Sequence, residues 1–273
     1  MDKVTVPGLA DMKRAGRKIA GVVAWDYQIA TIADRTGVDL LVVGDSVGVN
    51  LWGHATPFEV TMEEMIIVCR AVRRGAQRAL VCCDFPFGPL QEGVDSAVRA
   101  AVRLVKEAGA DLVKLDGAVD YPEAVAAIER AGIPVFAQFG LTPQLALRHG
   151  IDYSSLAAGP VQEQTTNQLV VWAKGLEEAG ASMLDFTNSG PVAGEAVAKA
   201  VSIPVLGGFG GGPWLDGRVR MAHAAIGYAA SGIDNPPDTY ANVAATTFSA
   251  LNEYADDVRA ERQIKGGVPW PRP

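Results

Sequence analysis

Residues 40–84 read LLVVGDSVGVNLWGHATPFEVTMEEMIIVCRAVRRGAQRALVCCD and contain two apolar runs, LLVV and ALVCC. An acid follows each run, Asp45 after the first and Asp84 after the second, and a helical pattern lies between them at 61–74. In parallel α/β proteins the carboxyl ends of the strands are the place where catalytic groups collect. The stretch therefore predicts two parallel strands joined by a crossover helix, with a carboxylate at the same end of each strand.

The same signature repeats along the chain: a helical pattern ends at a glycine, and a short apolar run follows. Glycine past a helix end adopts the left-handed conformation at little cost and stops the helix. The runs are rich in Val, Leu and Ile without alternation, as expected for strands buried on both faces. Seven to eight βα units in 273 residues favour a closed (β/α)8 barrel over an open doubly wound sheet. The strands are predicted at 20–25, 39–44, 79–84, 111–115, 133–138, 182–187 and 203–207, with a weaker eighth near 224–228.

The rest of the chain fits one barrel domain over residues 1–273, with a short helix at its N-terminus. A long C-terminal helix is predicted at Asp238–Arg262, after a Pro-Pro pair. The one long polar connection, Gly140–Gln164, is a candidate lid, since lids are often found in such loops.

Composition excludes several classes of partner. The formal net charge of −7 argues against nucleic acid or an anionic membrane surface, which attract basic proteins. No apolar run approaches the ~20 residues of a membrane span, and the N-terminus has no apolar segment typical of a signal peptide. Three cysteines without metal-ligand spacing predict buried thiols in a reducing compartment. We therefore expect a cytoplasmic protein.

Polar residues follow almost every predicted strand, and in a barrel they all face one mouth. Carboxylates gathered around a lysine need a cation or a substrate to offset their repulsion. The set is Asp26, Asp45, Ser46, Asp84, Lys114, Asp116, Gln138, Thr187, Asn188 and the glycine run Gly207–Gly212.

Asp45, Asp84 and Asp116 are the predicted metal ligands, because Mg²⁺ binds hard oxygen ligands and accepts one or two carboxylates. A bound ion could chelate a 2-oxo acid and polarise its carbonyl, and Lys114 could neutralise the substrate carboxylate or an enolate oxygen. The alternative is that the acids only cap the helices that follow, since Asp is a good N-cap. Three acids in successive strands, beside Ser46 and Lys114, favour a site.

Two further features carry weaker signals. The run Gly207–Gly212 could cradle a phosphate, but it lacks the dinucleotide and P-loop spacings, and tight packing or a flexible turn is the alternative. His54 lies in the loop over the predicted site, where it could touch substrate.

Ser46 has no nucleophile-elbow context, which argues against Ser–His–acid hydrolysis.

Several motifs are similar to those of ketopantoate hydroxymethyltransferases, and they occur in the family's order over nearly the whole chain. They are VAWDY at 23–27, LVVGDSVG at 41–48, VTMEEM at 60–65, RAVRRGA at 70–76, DFPFG at 84–88, VKLDG at 113–117 and GLTPQ at 140–144. The resemblance implies a (β/α)8 barrel of the phosphoenolpyruvate mutase and isocitrate lyase superfamily. It also implies Mg²⁺, a 2-oxo acid substrate, 5,10-methylenetetrahydrofolate as one-carbon donor, and a homo-oligomer, often a decamer.

Residue roles can be carried over by position from the resemblance. Asp45 and Asp84 resemble the family's metal-binding aspartates. Ser46, together with Asp45, resembles the pair that grips the substrate carboxylate and oxo group. Lys114 resembles the substrate-binding lysine.

Three predicted catalytic positions depart from the family pattern. The family has Glu at Asp116 and His at Gln138, and its general base, a carboxylate on strand 6, falls at Thr187. Asp185 is two residues earlier on the same strand face, one step deeper, and is a poor substitute. A missing base typically costs about 10²–10⁴ in rate if proton removal limits the reaction.

Three hypotheses follow from the sequence. The first is a Mg²⁺-dependent enzyme that makes or breaks a C–C bond next to the carbonyl of a 2-oxo acid, with hydroxymethyl transfer to 2-oxoisovalerate as its nearest named activity. The second is a Mg²⁺-dependent lyase or hydrolase of a 2-oxo acid. The third is a barrel that binds a 2-oxo acid without turnover, against which the retained Asp45, Ser46, Asp84 and Lys114 argue.

Overall fold

The structure, a computed structural model, describes residues 2–150, 166–187, 191–208 and 212–268. Parallel strands pair in chain order and close into one eight-stranded barrel, which confirms the predicted (β/α)8 fold. The strands are β1 Ile19–Val23, β2 Leu40–Val43, β3 Leu80–Asp84, β4 Leu112–Leu115, β5 Val135–Gly140, β6 Met183–Thr187, β7 Val205–Gly207 and β8 Gly217–Met221.

The α-helices are α1 Val6–Arg14, α2 Tyr27–Arg35, α3 Val47–Asn50, α4 Met62–Gly75, α5 Val94–Arg103, α6 Pro122–Arg130, α7 Thr166–Glu178, α8 Pro191–Ala200, α9 Ala222–Ala225 and α10 Val243–Arg259. Short 3₁₀ turns lie at Pro57–Glu59, Ala118–Asp120, Pro143–Leu145, Leu147–His149, Gly212–Trp214 and Ala230–Ile233, and a π turn lies at Leu104–Ala108.

The first seven strand predictions are confirmed, and the eighth is wrong. The residues predicted as the last strand begin in α9, and the strand itself lies earlier, at Gly217–Met221. Its side chains alternate between buried and exposed, with Arg218 and Arg220 on the exposed face. The segment therefore has no continuous apolar run for the sequence to signal. The predicted C-terminal helix starts later than expected, at Val243, where the Asn242 side chain caps it.

The chain groups into two compact units, Met1–Arg220 and Met221–Pro273. The first contains β1 to β7 and most of β8, and the second contains α9 and α10. The expectation of a single domain stays a prediction.

Strand alternation divides the barrel interior into an apolar lower part and a polar upper part. Successive side chains of a strand point to opposite faces, so every second residue faces inward. On β3 the inward residues are Leu80 and Cys82, which lie in the core cluster, followed by Asp84 at the carboxyl end. Leu9 and Met12 of α1 belong to the same cluster. On β3, the inward side chains therefore change from hydrophobic to acidic at the carboxyl end of the strand.

The contact between β8 and β1 is unusually close. The Ile19 N–H donates to the carbonyl of Asp216 at 2.9 Å. A Cβ at Gly217 would collide with the carbonyl of Ile19, so only glycine fits at this position. Lys13 of α1 pairs with Asp216 at 3.0 Å and holds the same corner from the N-terminal side.

Asp34 on α2 ties the start of β3 to the helix layer. Its carboxylate accepts backbone N–H bonds from Gln77 at 3.1 Å, Arg78 at 3.0 Å and Ala79 at 2.8 Å. Burial alone raises the pKa of Asp34, but these donors outweigh it and the pKa is lowered from 3.8. The carboxylate therefore stabilises the fold above that value, and the contribution is lost as the pH falls through the lowered folded-state pKa.

We expect Asp34→Ala to lower the free energy of unfolding at pH 7 by about 2–4 kcal/mol, because it leaves one buried and two partly buried backbone donors unpaired. Urea denaturation at pH 7 measures this loss. Asp11→Ala is the matched control, since Asp11 is exposed, and it should change the free energy by about 0.5 kcal/mol or less. An equal effect of both variants would contradict the assignment.

Candidate active site

A lysine and two aspartates form the floor of the polar region. Lys114 Nζ lies 3.2 Å from Asp84 Oδ2 and 3.2 Å from Asp185 Oδ2. The register of β3 and β4 sets Asp84 beside Lys114, and Asp185 reaches the same ammonium from β6. All three side chains are buried. The sequence ranked Asp185 only as a poor substitute for a base, and the structure places it in contact with the predicted substrate-binding lysine.

A second group of acids is held by Gln144, in the 3₁₀ turn Pro143–Leu145 that follows β5. Its side-chain amide donates to Asp45 Oδ2 at 2.9 Å and to the carbonyl of Phe85 at 3.2 Å. Its backbone N–H donates to Asp116 Oδ2 at 3.1 Å. One residue thus fixes the carboxylates that follow β2 and β4. The sequence reasoning missed this role, and its only signal was the position of Gln144 in the GLTPQ motif.

The wall above Asp185 is neutral. Gln138 Nε2 donates to Thr187 Oγ1 at 2.9 Å, and both side chains are buried. Gln138 is the register partner of Asp185 on the adjacent strand, and Thr187 is the next inward residue of β6. The position expected to carry a general base therefore holds a hydroxyl that accepts a hydrogen bond from an amide.

Ser46 lies beside the floor, at the start of α3. A Cβ built on Gly44 would lie 2.8 Å from Ser46 Oγ and 3.7 Å from Asp84 Oδ2. The bare backbone at Gly44 therefore leaves space next to both side chains. The structure brings the predicted residues Ser46 and Asp84 to one place.

Burial and charge set the protonation of the site. Burial raises the pKa of Asp84 to about 7, although Lys114 acts in the opposite direction. Burial also raises the pKa of Asp45 and of Asp116 to about 6 each. For Lys114, burial favours the neutral amine, but the carboxylates of Asp84 and Asp185 outweigh it and the pKa is raised. Lys114 is therefore a fixed cation, suited to binding an anion and unsuited to accepting a proton.

The carboxylates have unused capacity for a cation. The Oδ1 atoms of Asp84, Asp116 and Asp185 are buried and have no hydrogen-bond partner among the described residues. Buried acceptors without a partner are costly, and a cation or an ordered water is the usual remedy. Within the described ranges, no three His, Cys, Asp or Glu side chains form a complete metal-binding group. Because Mg²⁺ usually keeps several waters and takes one or two carboxylates, Asp84 and Asp116 fit Mg²⁺ without enclosing it.

Comparisons with known proteins agree with the sequence motifs. The sequence model of the family "Ketopantoate hydroxymethyltransferase" matches residues 3–263. A 3-methyl-2-oxobutanoate hydroxymethyltransferase from Cyanothece sp. is 39% identical over 264 residues, covering 95% of this chain and 97% of that protein. The one from Cytophaga hutchinsonii is 37% identical over 259 residues, covering 95% of this chain and 93% of the relative.

The chain belongs to the ketopantoate hydroxymethyltransferase family.

The fold is similar to that of other barrels among the solved structures. Phosphonopyruvate hydrolase has a TM-score of 0.61 at 16% identity, covering 99% of this chain and 92% of that one. 2,3-Dimethylmalate lyase, described as a member of the PEP mutase/isocitrate lyase superfamily, has a TM-score of 0.57 at 13% identity, covering 94% and 87%. The predicted (β/α)8 fold and the prediction of a hydroxymethyltransferase-like enzyme are confirmed. None of the described helices has both the length and the apolar character needed to cross a membrane.

The remaining sequence predictions have mixed outcomes. Asp26 is a helix cap, because its Oδ1 accepts the N–H of Ile29 at 2.9 Å. The ring of His54 lies 5.8 Å from that of Trp52, and its backbone N–H donates to Gly48. The cysteines at 69, 82 and 83 are buried free thiols, as predicted. Asn188, residues 209–211 of the glycine run and residues 151–164 of the candidate lid lie outside the described residues.

The raised acid pKa values predict how stability changes with pH. The folded protein retains protons on Asp84 up to about pH 7 and on Asp45 and Asp116 up to about pH 6, whereas the unfolded chain loses them near 3.8. Stability falls with rising pH wherever the folded state binds more protons. We expect the midpoint of thermal unfolding in EDTA to decrease between pH 5 and pH 8.

Differential scanning fluorimetry at a series of pH values measures this midpoint. The Asp45→Asn variant should show a shallower decrease, since one of the three acids no longer titrates. A midpoint that rises over this pH interval in the wild type would contradict the assignment.

Proposed function

We propose that this family member is a Mg²⁺-dependent enzyme that forms or breaks a C–C bond at the carbon next to the carbonyl of a 2-oxo acid. Hydroxymethyl transfer to 3-methyl-2-oxobutanoate (2-oxoisovalerate) is its nearest activity, since that substrate is named in the relatives at 37–39% identity. The observation that carries the proposal is the buried Lys114 cation held by acids that retain unpaired oxygens.

Asp45 and Asp84, with Asp116 beside them, are the residues that would hold Mg²⁺. Two observations support this assignment. The Oδ1 atoms of Asp84 and Asp116 are unpaired among the described residues. Hydrogen bonds from Gln144 fix the orientation of Asp45 and Asp116. A phosphonopyruvate hydrolase of the same fold was crystallised with oxalate and Mg²⁺. When bound, Mg²⁺ would supply a Lewis acid for the substrate carbonyl.

Lys114 and Ser46 would orient the substrate. Lys114 keeps its charge and offers N–H donors to an anionic oxygen in a buried place, where such an interaction is stronger than in water. Ser46 presents a hydroxyl next to Asp84, suited to a hydrogen bond with a carboxylate or oxo group of the substrate.

The residues at the position expected for the general base favour a second candidate function, that of a lyase or hydrolase. Thr187 cannot remove the proton next to the carbonyl, and Gln138 already donates a hydrogen bond to its hydroxyl. A lyase or hydrolase reaction on a 2-oxo acid can begin without that removal. The hydrogen-bonded pair of Gln138 and Thr187 is the specific observation in favour of this alternative.

Solvent deuterium exchange tests the first function. Purified protein is incubated in D₂O with 2-oxoisovalerate and MgCl₂ or EDTA, and exchange at the carbon next to the carbonyl is followed by NMR. The proposal expects exchange with MgCl₂ and none with EDTA. Absence of exchange with any of several 2-oxo acids, in a protein that binds Mg²⁺, would contradict hydroxymethyl transfer.

A parallel assay separates the alternative. The same 2-oxo acids are incubated with 5,10-methylenetetrahydrofolate, the proposed one-carbon donor, and screened for a hydroxymethylated product, and their aldol adducts are screened for cleavage without folate. Product that depends on the folate supports transfer, and cleavage without it supports the lyase or hydrolase.

We also propose that the protein is a homo-oligomer, as the family resemblance implies. The helix α10 carries Phe248, Leu251, Tyr254 and Val258, whose side chains are about half exposed. Exposed apolar side chains in one element are typical of an association surface. Light scattering coupled to gel filtration measures the assembly mass, and a monomer at micromolar concentration would contradict this proposal.

A further inference from the structure

Lys114 is shared between two carboxylates at equal distance. Its Nζ lies 3.2 Å from an oxygen of Asp84 and 3.2 Å from an oxygen of Asp185. Both acids are buried, Asp84 at 8% and Asp185 at 6% exposure, so each ion pair is shielded from water. Electrostatic interactions are stronger in such surroundings than at the surface.

The sharing creates competition at Asp84. The carboxylate of Asp84 that would hold a divalent cation also accepts a hydrogen bond from Lys114. An ammonium and a divalent cation are both attracted to one carboxylate, and each repels the other. A residue that draws Lys114 away from Asp84 would therefore favour binding of the metal.

Asp185 is placed to do this. It faces inward on β6, two residues before Thr187, and has no part in the proposed metal ligands. Its Oδ2 contacts Lys114, while its Oδ1 is buried with no hydrogen-bond partner in the described part of the chain. Asp185 could therefore accept a further hydrogen bond from the Lys114 ammonium through its Oδ1 atom.

Direct action of Asp185 as a base is less well supported by the same geometry. A spacing of two residues along a strand is about 6.6 Å, so the backbone of Asp185 lies about that far along β6 from Thr187, on the side away from the mouth. The carboxylate also already pairs with Lys114. Its effect on the reaction therefore passes through the lysine.

We propose that Asp185 is a positioning residue that holds Lys114 and so leaves Asp84 available to a divalent cation. This inference rests on the proposed function, in which Asp84 is a metal ligand. Partners of metal ligands typically change metal affinity 10- to 100-fold when mutated.

Calorimetric titration of MgCl₂ into the full-length protein tests the inference. We expect Asp185→Asn to raise the Kd for Mg²⁺ at least 10-fold, because Asp84 is then the carboxylate that Lys114 contacts among the described residues. Asp39→Asn is the matched control: Asp39 is equally buried and pairs with Arg78 at 3.2 Å, before the start of β2. The Kd of the Asp39→Asn variant for Mg²⁺ should equal that of the wild type.

A Lys114→Met background separates action through the lysine from simple loss of a negative charge. Without the ammonium, Mg²⁺ should bind more tightly than in the wild type, and adding Asp185→Asn should change the Kd less than about threefold, the residual charge effect. An equal effect of Asp185→Asn in both backgrounds would overturn the inference. If Asp185→Asn does not fold, Asp185→Ser takes its place with the same expected directions.

The same titrations distinguish failure of the proposed function from failure of the inference about Asp185. Wild-type protein that does not bind Mg²⁺ refutes the proposed function and the inference together. Wild-type protein that binds Mg²⁺, with Asp185→Asn unchanged, refutes the inference alone.

Discussion

Asp84→Asn is expected to lower the rate of Mg²⁺-dependent exchange into 2-oxoisovalerate by about 10³-fold or more. The substitution keeps the shape of the side chain and removes the charge that faces Lys114. Lewis-acid stabilisation by a bound metal is worth several kcal/mol, and about 4 kcal/mol corresponds to a factor of 10³. Exchange followed by NMR in D₂O at saturating MgCl₂ measures the loss.

The control for Asp84→Asn is Asp39→Asn, which removes a buried, ion-paired carboxylate at the N-terminal end of β2, opposite to the end that carries the site. Circular dichroism should show that both variants are folded, and Asp39→Asn should exchange at the wild-type rate. A folded Asp84→Asn variant with more than a tenth of the wild-type rate would contradict a central role for Asp84.

Thr187→Glu is expected to raise the exchange rate by about 10²-fold or more, the typical contribution of a general base. Thr187 is 1% exposed, so burial would raise the pKa of the new carboxyl group towards the neutral range where a base acts best. The larger side chain is expected to cost about 1–3 kcal/mol of stability through overpacking. The same exchange assay at pH 8 measures the gain.

Thr187→Gln is the matched control, because it has the size of the glutamate variant without the carboxylate. Its rate should not exceed that of the wild type. If the glutamine variant gains as much as Thr187→Glu, the gain comes from changed packing, and the missing-base interpretation is wrong.

The strands of the barrel were predictable where burial is continuous. Runs such as Leu40–Val43 are buried on both faces and have no polar interruption, so composition alone predicts them. Strand β8 escaped prediction because its outer face carries Arg218 and Arg220. Its place in the barrel depends on closure against Ile19, which is a tertiary contact.

The site was predictable where its acids follow a strand, but a strand-end acid is ambiguous. Asp45 and Asp84 lie in the polar region of the barrel, whereas Asp26, at an equivalent position, caps a helix. Nothing local in the sequence separates these outcomes, because Asp suits both.

Two residues of the site were underestimated for physical reasons. Asp185 lies within an apolar run, and only the barrel geometry brings it to Lys114 on another strand. Gln144 lies in a loop, and its contacts with Asp45 and Asp116 depend on the turn that follows β5. Cross-barrel and loop-to-strand contacts have no periodic signature along the chain.

We propose above all that Asp45 and Asp84 together would hold a divalent cation. Crystals soaked in MnCl₂, with Mn²⁺ as a Mg²⁺ surrogate that scatters anomalously, test it most directly. The account predicts an anomalous peak at coordination distance, about 2.0–2.3 Å, from a carboxylate oxygen of each residue. A fully soaked crystal with no peak there, or with Lys114 Nζ still bound to Asp84 and the metal elsewhere, would contradict it.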